Sequence, residues 1–121
     1  MSTLDIGSLA ESLASDYLRQ QGLTCITKNY RCRLGEIDLI MQDGDTRVFV
    51  EVRFRSHTEF GSPAATVNRA KQHKLIKTAK YYLVSQQLYD KIYCRFDVIT
   101  ITPTVNNDRD IEWIKDAFVA Y

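Results

Sequence analysis

Three observations predict an α/β fold with a mixed central sheet flanked by helices. An apolar stripe of helical period opens the chain, two strand-length apolar runs flank an Asp43-Gly44 turn, and a second helical stretch separates that hairpin from a further apolar strand. The expected order is helix, three strands, helix, strand (αβββαβ). At 121 residues and 45% hydrophobic content, the chain suits one domain, residues 1–121, with a core of its own.

The first helix is expected from about Ile6 to Gln21, with Asp5 or Thr3 as N-cap and Gly22 as the stop. Ile6, Leu9, Ala10, Leu13 and Tyr17 form its apolar face. Glu11 borders that face in a stripe with Gly7, Ala14 and Leu18. Its carboxylate is either a solvated helix acid or a group reaching the end of the sheet. A short strand, Leu23 to Lys28, follows, and Asn29 to Leu34 reads as a polar connection.

The hairpin carries the main functional signal. Gly35 to Met41 and Val48 to Arg53 pair across Asp43-Gly44, which places Asp38 opposite Phe49 and Glu36 opposite Glu51. Alternation then puts Glu36, Asp38, Phe49, Glu51 and Arg53 on one face and Ile37, Leu39, Val50 and Val52 on the other. Asp38 and Glu51 become diagonal neighbours, roughly 7 to 8 Å apart at Cα, able to converge on a divalent cation. The second strand is almost continuously apolar, as a central strand is, and Glu51 sits in its middle. An ionised carboxylate there costs several kcal/mol unless a cation or hydrogen-bond donors compensate it. Two readings fit the hairpin equally: a metal site, and a structural ion pair in which Arg53 neutralises Asp38 or Glu51.

A loop through Gly61-Ser62-Pro63 leads to a second helix, about Ala65 to Gln86. Between Phe60 and Tyr89 there is no Asp or Glu, while Arg69, Lys71, Lys74, Lys77 and Lys80 are all present, so the net charge of +1 hides a basic segment. Leu75, Ile76, Ala79 and Leu83 form the inward face, and the cations with His73 spread outward, as a phosphate-contacting surface or as a solvated lysine face. Gln72 projects inward, as an amide bonded to backbone or as a group aimed at the sheet. The strand Ile92 to Ile101 follows, with Asp97 expected to anchor a neighbouring arginine, then a polar loop from Pro103 to Asp110. Ile111 to Tyr121 reads as a short strand or helix packing Trp113, Ile114 and Phe118 on the core.

Several classes are excluded or disfavoured. No apolar stretch is long enough to span a bilayer, and the first residues lack the basic and apolar regions of a signal peptide, so a cytoplasmic location is expected. Cys25, Cys32 and Cys94 are odd in number and scattered, as inert buried thiols are, without zinc spacing. With only His57 and His73, a histidine-rich metal centre or a serine-histidine-acid triad has little to draw on. No repeat or glycine-rich phosphate loop is present, and Tyr81-Tyr82 reads as rim and core.

The order of elements, with Asp38 on the second strand and Glu51-Val52-Arg53 on the third, resembles the PD-(D/E)XK nuclease superfamily. More narrowly, Lys28-Asn29-Tyr30-Arg31, Gly35-Glu36-Ile37-Asp38-Leu39-Ile40, Phe49-Val50-Glu51-Val52-Arg53-x-Arg55 and Arg95-Phe96-Asp97-Val98-Ile99 closely resemble the YraN family of uncharacterised bacterial proteins. The likeness runs from the first helix to the chain end. It implies a restriction-endonuclease-like core similar to that of archaeal Holliday-junction resolvases, and Mg²⁺- or Mn²⁺-dependent cleavage of DNA, including branched DNA. In that pattern Asp38 and Glu51 match the metal ligands, Glu11 the first-helix acid, Arg53 the place of the motif lysine and Gln72 a polar residue on the following helix. Arg55, Arg69, Lys71, Lys74 and Lys77 would contact the nucleic acid, and dimers of resolvase-like relatives imply a homodimer. Arg53 departs from the motif lysine and, staying protonated, cannot act as a general base. Ile37 stands in place of the motif proline.

Overall fold

The computed structural model describes residues 3–55, 67–103 and 109–120. Helix α1 (Thr3–Gln20) is followed by strands β1 (Thr24–Cys32), β2 (Gly35–Asp43) and β3 (Thr46–Phe54), helix α2 (Arg69–Ser85), and strands β4 (Tyr93–Pro103) and β5 (Arg109–Phe118). The strands form one sheet in the order β1-β2-β3-β4-β5, parallel only between β3 and β4. This mixed α/β sheet between two helices is consistent with a restriction-endonuclease-like core. The final segment, which the sequence pattern allows as strand or helix, is β5, so the order is αβββαββ.

Each helix covers one face. Ala10, Ala14 and Leu18 of α1 pack on Leu39, Met41, Val48, Val50, Ile99 and Ile101 of the sheet; Leu75, Ala79, Tyr82 and Leu83 of α2 pack on Ile37, Ile40, Phe49, Phe96, Val98 and Phe118. Fully burying each such aliphatic side chain stabilises the fold by about 1.5–3 kcal/mol. Phe96 bridges Phe49 and Phe118 in a stacked series, with ring centroids at 5.5 and 5.0 Å. β3 is the central strand, as its apolar run predicts, and β4 beside it is likewise buried for most of its length.

Several expectations are corrected. β1 extends through the expected polar connection to Cys32, with Asn29 at φ 53 inside it. α1 buries Ala10, Ala14 and Leu18, while Leu13 and Tyr17 are only partly covered, so the inner stripe is the one that contains Glu11. α2 starts at Arg69 because the Asn68 side chain caps it, accepting the Lys71 N–H at 2.9 Å. Its buried residues include Thr78 and Tyr82, which turns the inner face toward Lys71; the Thr78 hydroxyl is satisfied by the Lys74 carbonyl at 2.8 Å. Cys94 is exposed, and Cys25 and Cys32 are partly so. Helix α1 begins at Thr3, three residues before the expected start. His57, the Gly61-Ser62-Pro63 loop and the centre of the Pro103–Asp110 loop lie outside the described residues. Among the described residues no helix is long and apolar enough to cross a membrane.

Candidate functional site

The β2–β3 hairpin closes one residue later than its sequence suggests. Asp43 pairs with Thr46, and Gly44 at φ 61 with Asp45 forms the turn. The register becomes Leu39↔Val50 and Ile40↔Phe49, two residues from the expected one, but the expected common face of the acids does not hold, because Asp38 lines a cavity against α1. Glu51 is therefore next to Asp38 rather than to Glu36.

The ladder between the two strands ends at Leu39↔Val50. Beyond it, β2 pairs with β1 and β3 pairs with β4. Asp38 lies at this fork, and its Oδ2 accepts the Val52 N–H at 2.8 Å. Alternation slips here as well: Ile37 packs under α2 with Ile40 and Phe49, not with Leu39 as expected.

Glu51 is 6% exposed, on the α2 side of the fork. Burial first, and the Asp38 charge second, push its carboxyl up to about 7, against the pull of Lys71. Asp38 is also raised, mainly by burial, with the Val52 N–H and a hydrogen bond from Glu51 acting in the opposite direction. Two carboxyl groups thus lie against one another in a poorly hydrated fork, which disfavours their both being ionised, an arrangement that a divalent cation would relieve.

The compensating cation is Lys71. Its Nζ lies 3.1 Å from Glu51 Oε1. Arg53, the expected partner, is half-buried two residues further along β3 and makes no ion pair with either acid among the described residues. The reason is positional: α2 delivers Lys71 over the fork, whereas residue 53 lies past it.

Glu11 reaches the fork from the opposite face. Asn29 hydrogen-bonds its carboxylate, while burial and the nearby Asp38 raise its affinity for a proton. Its Oε1 is buried and has no hydrogen-bond partner among the described residues. Glu11, Asn29, Glu36 and Asp38 line a cavity of about 430 Å³ against α1. Arg31, Gly35, Lys71 and Lys74 line a groove of about 360 Å³ on the α2 side. The exposed Arg31–Glu36 pair, at 3.1 Å, borders both.

Among the described residues no three His, Cys, Asp or Glu side chains converge into a closed cage. The donor set nevertheless fits Mg²⁺ or Mn²⁺. These are hard ions that oxygen ligands suit, and Mg²⁺ is commonly held by one or two carboxylates, with water and substrate phosphate completing its shell. Asp38 and Glu51 form that pair, and Glu11 shares the α1-side cavity with Asp38.

The remaining expected residues divide. Lys74 and Lys77 are exposed on α2 and Arg69 is exposed at its start. Arg55 is buried at the end of β3, its N–H on the Ile101 carbonyl at 2.8 Å, and is not part of that surface. Gln72 donates Nε2 to the Val67 carbonyl at 3.0 Å, which ties down the start of α2. Asp97 is fully buried and accepts from Arg95 Nε, Trp113 Nε1 and the Asp116 N–H at 2.9–3.0 Å, an anchor between β4 and β5. Sequence reasoning missed Lys71 as the partner of Glu51, and Asn29 and the Val52 N–H as supports. A helical wheel drawn through Thr78 and Tyr82 brings Lys71 inward.

A family described as uncharacterised protein family UPF0102 matches residues 10–101. A UPF0102 protein of Coxiella burnetii is 53% identical over 115 residues, covering 95% of this chain and 92% of that one. One from Nitrosomonas europaea is 52% identical over 112 residues, covering 93% and 92%, and one from Legionella pneumophila is 46% identical over 118 residues, covering 98% of each. With likeness of this degree along nearly the whole of each chain, the protein belongs to the uncharacterised UPF0102 family, the YraN family that its motifs resemble.

Proposed function

We propose that this protein is a metal-dependent endonuclease that hydrolyses DNA phosphodiester bonds, with branched DNA as its substrate class. The observation that carries this reading is the buried Asp38–Glu51 pair at the β2–β3 fork, beside a groove lined by Arg31, Lys71 and Lys74. Acids buried against one another serve stability poorly, and such pairs cluster at functional sites. The preference for branched DNA comes from the resemblance to resolvases.

In this reading Asp38 and Glu51 hold Mg²⁺ or Mn²⁺, which when bound polarises the phosphate and lowers the pKa of a water. The Val52 N–H fixes Asp38 so that one oxygen stays directed at the fork. Glu11 orders water on the α1 side. Arg53 orients the phosphate and stabilises its developing charge, since a guanidinium cannot accept a proton. Arg69, Lys74 and Lys77 hold flanking phosphates. A homodimer supplying two such sites and a cytoplasmic location belong to the same reading.

The second reading is a non-catalytic nucleic-acid-binding module on a degenerate nuclease fold. Arg53 in place of the motif lysine favours it. The deciding experiment is cleavage of labelled four-way junction, flap, single-stranded and duplex DNA with Mg²⁺, Mn²⁺ or EDTA, with Asp38→Ala and Glu51→Ala in parallel. Metal-dependent cutting lost in both variants is expected. Binding without cutting would transfer the weight to the second reading, and undiminished cutting by either variant would sink the site.

A further inference from the structure

We propose that Lys71 is a two-position cation that couples metal binding to phosphate binding: it neutralises Glu51 in the metal-free protein and moves onto a phosphate oxygen of the nucleic-acid backbone, in the adjoining groove, when a divalent ion takes Glu51. This rests on the nuclease reading in that it uses the same carboxylate pair.

The geometry gives Lys71 both stations. Its Nζ is 3.1 Å from Glu51 Oε1, yet its side chain is 41% exposed and lines the groove that also contains Arg31, Gly35 and Lys74. Its backbone is fixed, because Asn68 Oδ1 accepts its N–H at 2.9 Å, so only the flexible stem has to swing. Lys74, one helical turn on, is at the second station already. It packs beside Gly35, where an added Cβ would stand 3.3 Å from Lys74 Cε and 2.8 Å from Thr78 Oγ1. The β1–β2 turn can press this close to α2 only because residue 35 has no side chain, and that packing forms the wall of the groove.

Charge balance sets the direction of the switch. Two carboxylates are balanced by a divalent ion alone, and a lysine against Glu51 would then repel the ion. In the groove the displaced ammonium meets a phosphate, which it binds as a compact point charge. Metal therefore frees a cation for the nucleic acid, and the nucleic acid draws away the metal's competitor. Such coupling is reciprocal by thermodynamic necessity.

The test measures Mn²⁺ binding by electron paramagnetic resonance, with and without a labelled DNA duplex, and DNA binding by stopped-flow anisotropy read before cleavage. Wild type, Lys71→Met, Lys71→Arg, Lys74→Met and Glu51→Gln are compared. In the wild type each ligand should tighten the other by about tenfold, within the usual range of coupling factors. Lys71→Met should bind Mn²⁺ severalfold more tightly without DNA and lose most of the coupling, which Lys71→Arg should partly restore. Lys74→Met should weaken DNA binding to the same extent with and without Mn²⁺. Unchanged Mn²⁺ affinity or unchanged coupling in Lys71→Met would overturn the switch while leaving the metal site standing. Equal Mn²⁺ binding by wild type and Glu51→Gln would remove the metal site and the switch together.

Discussion

Asp38 accepts the Val52 N–H at 2.8 Å across the point where β2 and β3 separate, so a side chain bonds where the next rung of the ladder would otherwise form. The bond ties the two strands together at the fork and engages one oxygen of Asp38. Asp38→Asn keeps an acceptor for Val52 but loses the charge, whereas Asp38→Ala loses both. Asp38→Asn should therefore retain most of the stability while abolishing metal-dependent cleavage, and Asp38→Ala should cost a further 1–3 kcal/mol or so by leaving the N–H unpaired. Urea denaturation of both variants measures the difference.

Stability should fall as pH rises through neutrality. Glu51 titrates at about 7 in the fold against an ordinary value of 4.5, so the native state holds an extra proton between those limits. The stability from this group is complete below pH 4.5 and lost as pH passes through about 7, on the order of 3 kcal/mol in all. Asp38, also raised, acts in the same direction. Denaturation at pH 5 and pH 8 should show the loss in the wild type and a much smaller one in Glu51→Gln; equal losses would contradict the assignment.

Divalent metal should offset that loss. At pH 8, Mn²⁺ at a hundredfold its dissociation constant should stabilise the wild type by about 2.7 kcal/mol, seen as a rise in Tm, and should leave Glu51→Gln unmoved.

Asp97 should tolerate no truncation. Asp97→Ala leaves the Arg95 guanidinium and the Trp113 and Asp116 N–H groups without their shared acceptor, at a cost of about 3–5 kcal/mol. Among the described residues Arg95 would keep Asp43 as its acid partner, at 2.9 Å. Equilibrium unfolding checks the size of the loss.

Charge reversal on α2 should act on binding alone. Lys74→Glu with Lys77→Glu should weaken DNA affinity and flatten its salt dependence, by about one unit of log–log slope for each phosphate no longer neutralised. Titration at several salt concentrations reads both.

The parts of the fold legible in sequence are those governed by local pattern. Gly22, at φ 101, ends α1 as its position suggests, and the apolar run Val48–Val52 marks the central strand. That Asp38 and Glu51 come close is also foreseeable, because turn chemistry fixes the register to within two residues; the break in alternation that sends Ile37 under α2 and opens Asp38 to the α1 side is not. The register itself is not, since both Asp43-Gly44 and Gly44-Asp45 satisfy turn chemistry. Arg53 illustrates the harder limit. Adjacency along β3 suggests it as the partner of Glu51, but the partner comes from Lys71 on α2, twenty residues later, and only packing over the fork reveals it. Asn29 is hidden for a similar reason: a positive φ inside a strand looks like a loop residue until its neighbours are seen.

The connectivity of the fork also sets the order in which its charges meet. Asp38 and Glu51 lie on one hairpin closed by a two-residue turn, a local pairing with a short loop to close, whereas Lys71 reaches them from α2, twenty residues beyond Glu51. During synthesis from the N-terminus, the two acids are neighbours before their cation has left the ribosome. The nascent hairpin therefore carries unbalanced negative charge, and the arrival of α2 closes the core and neutralises it in the same step.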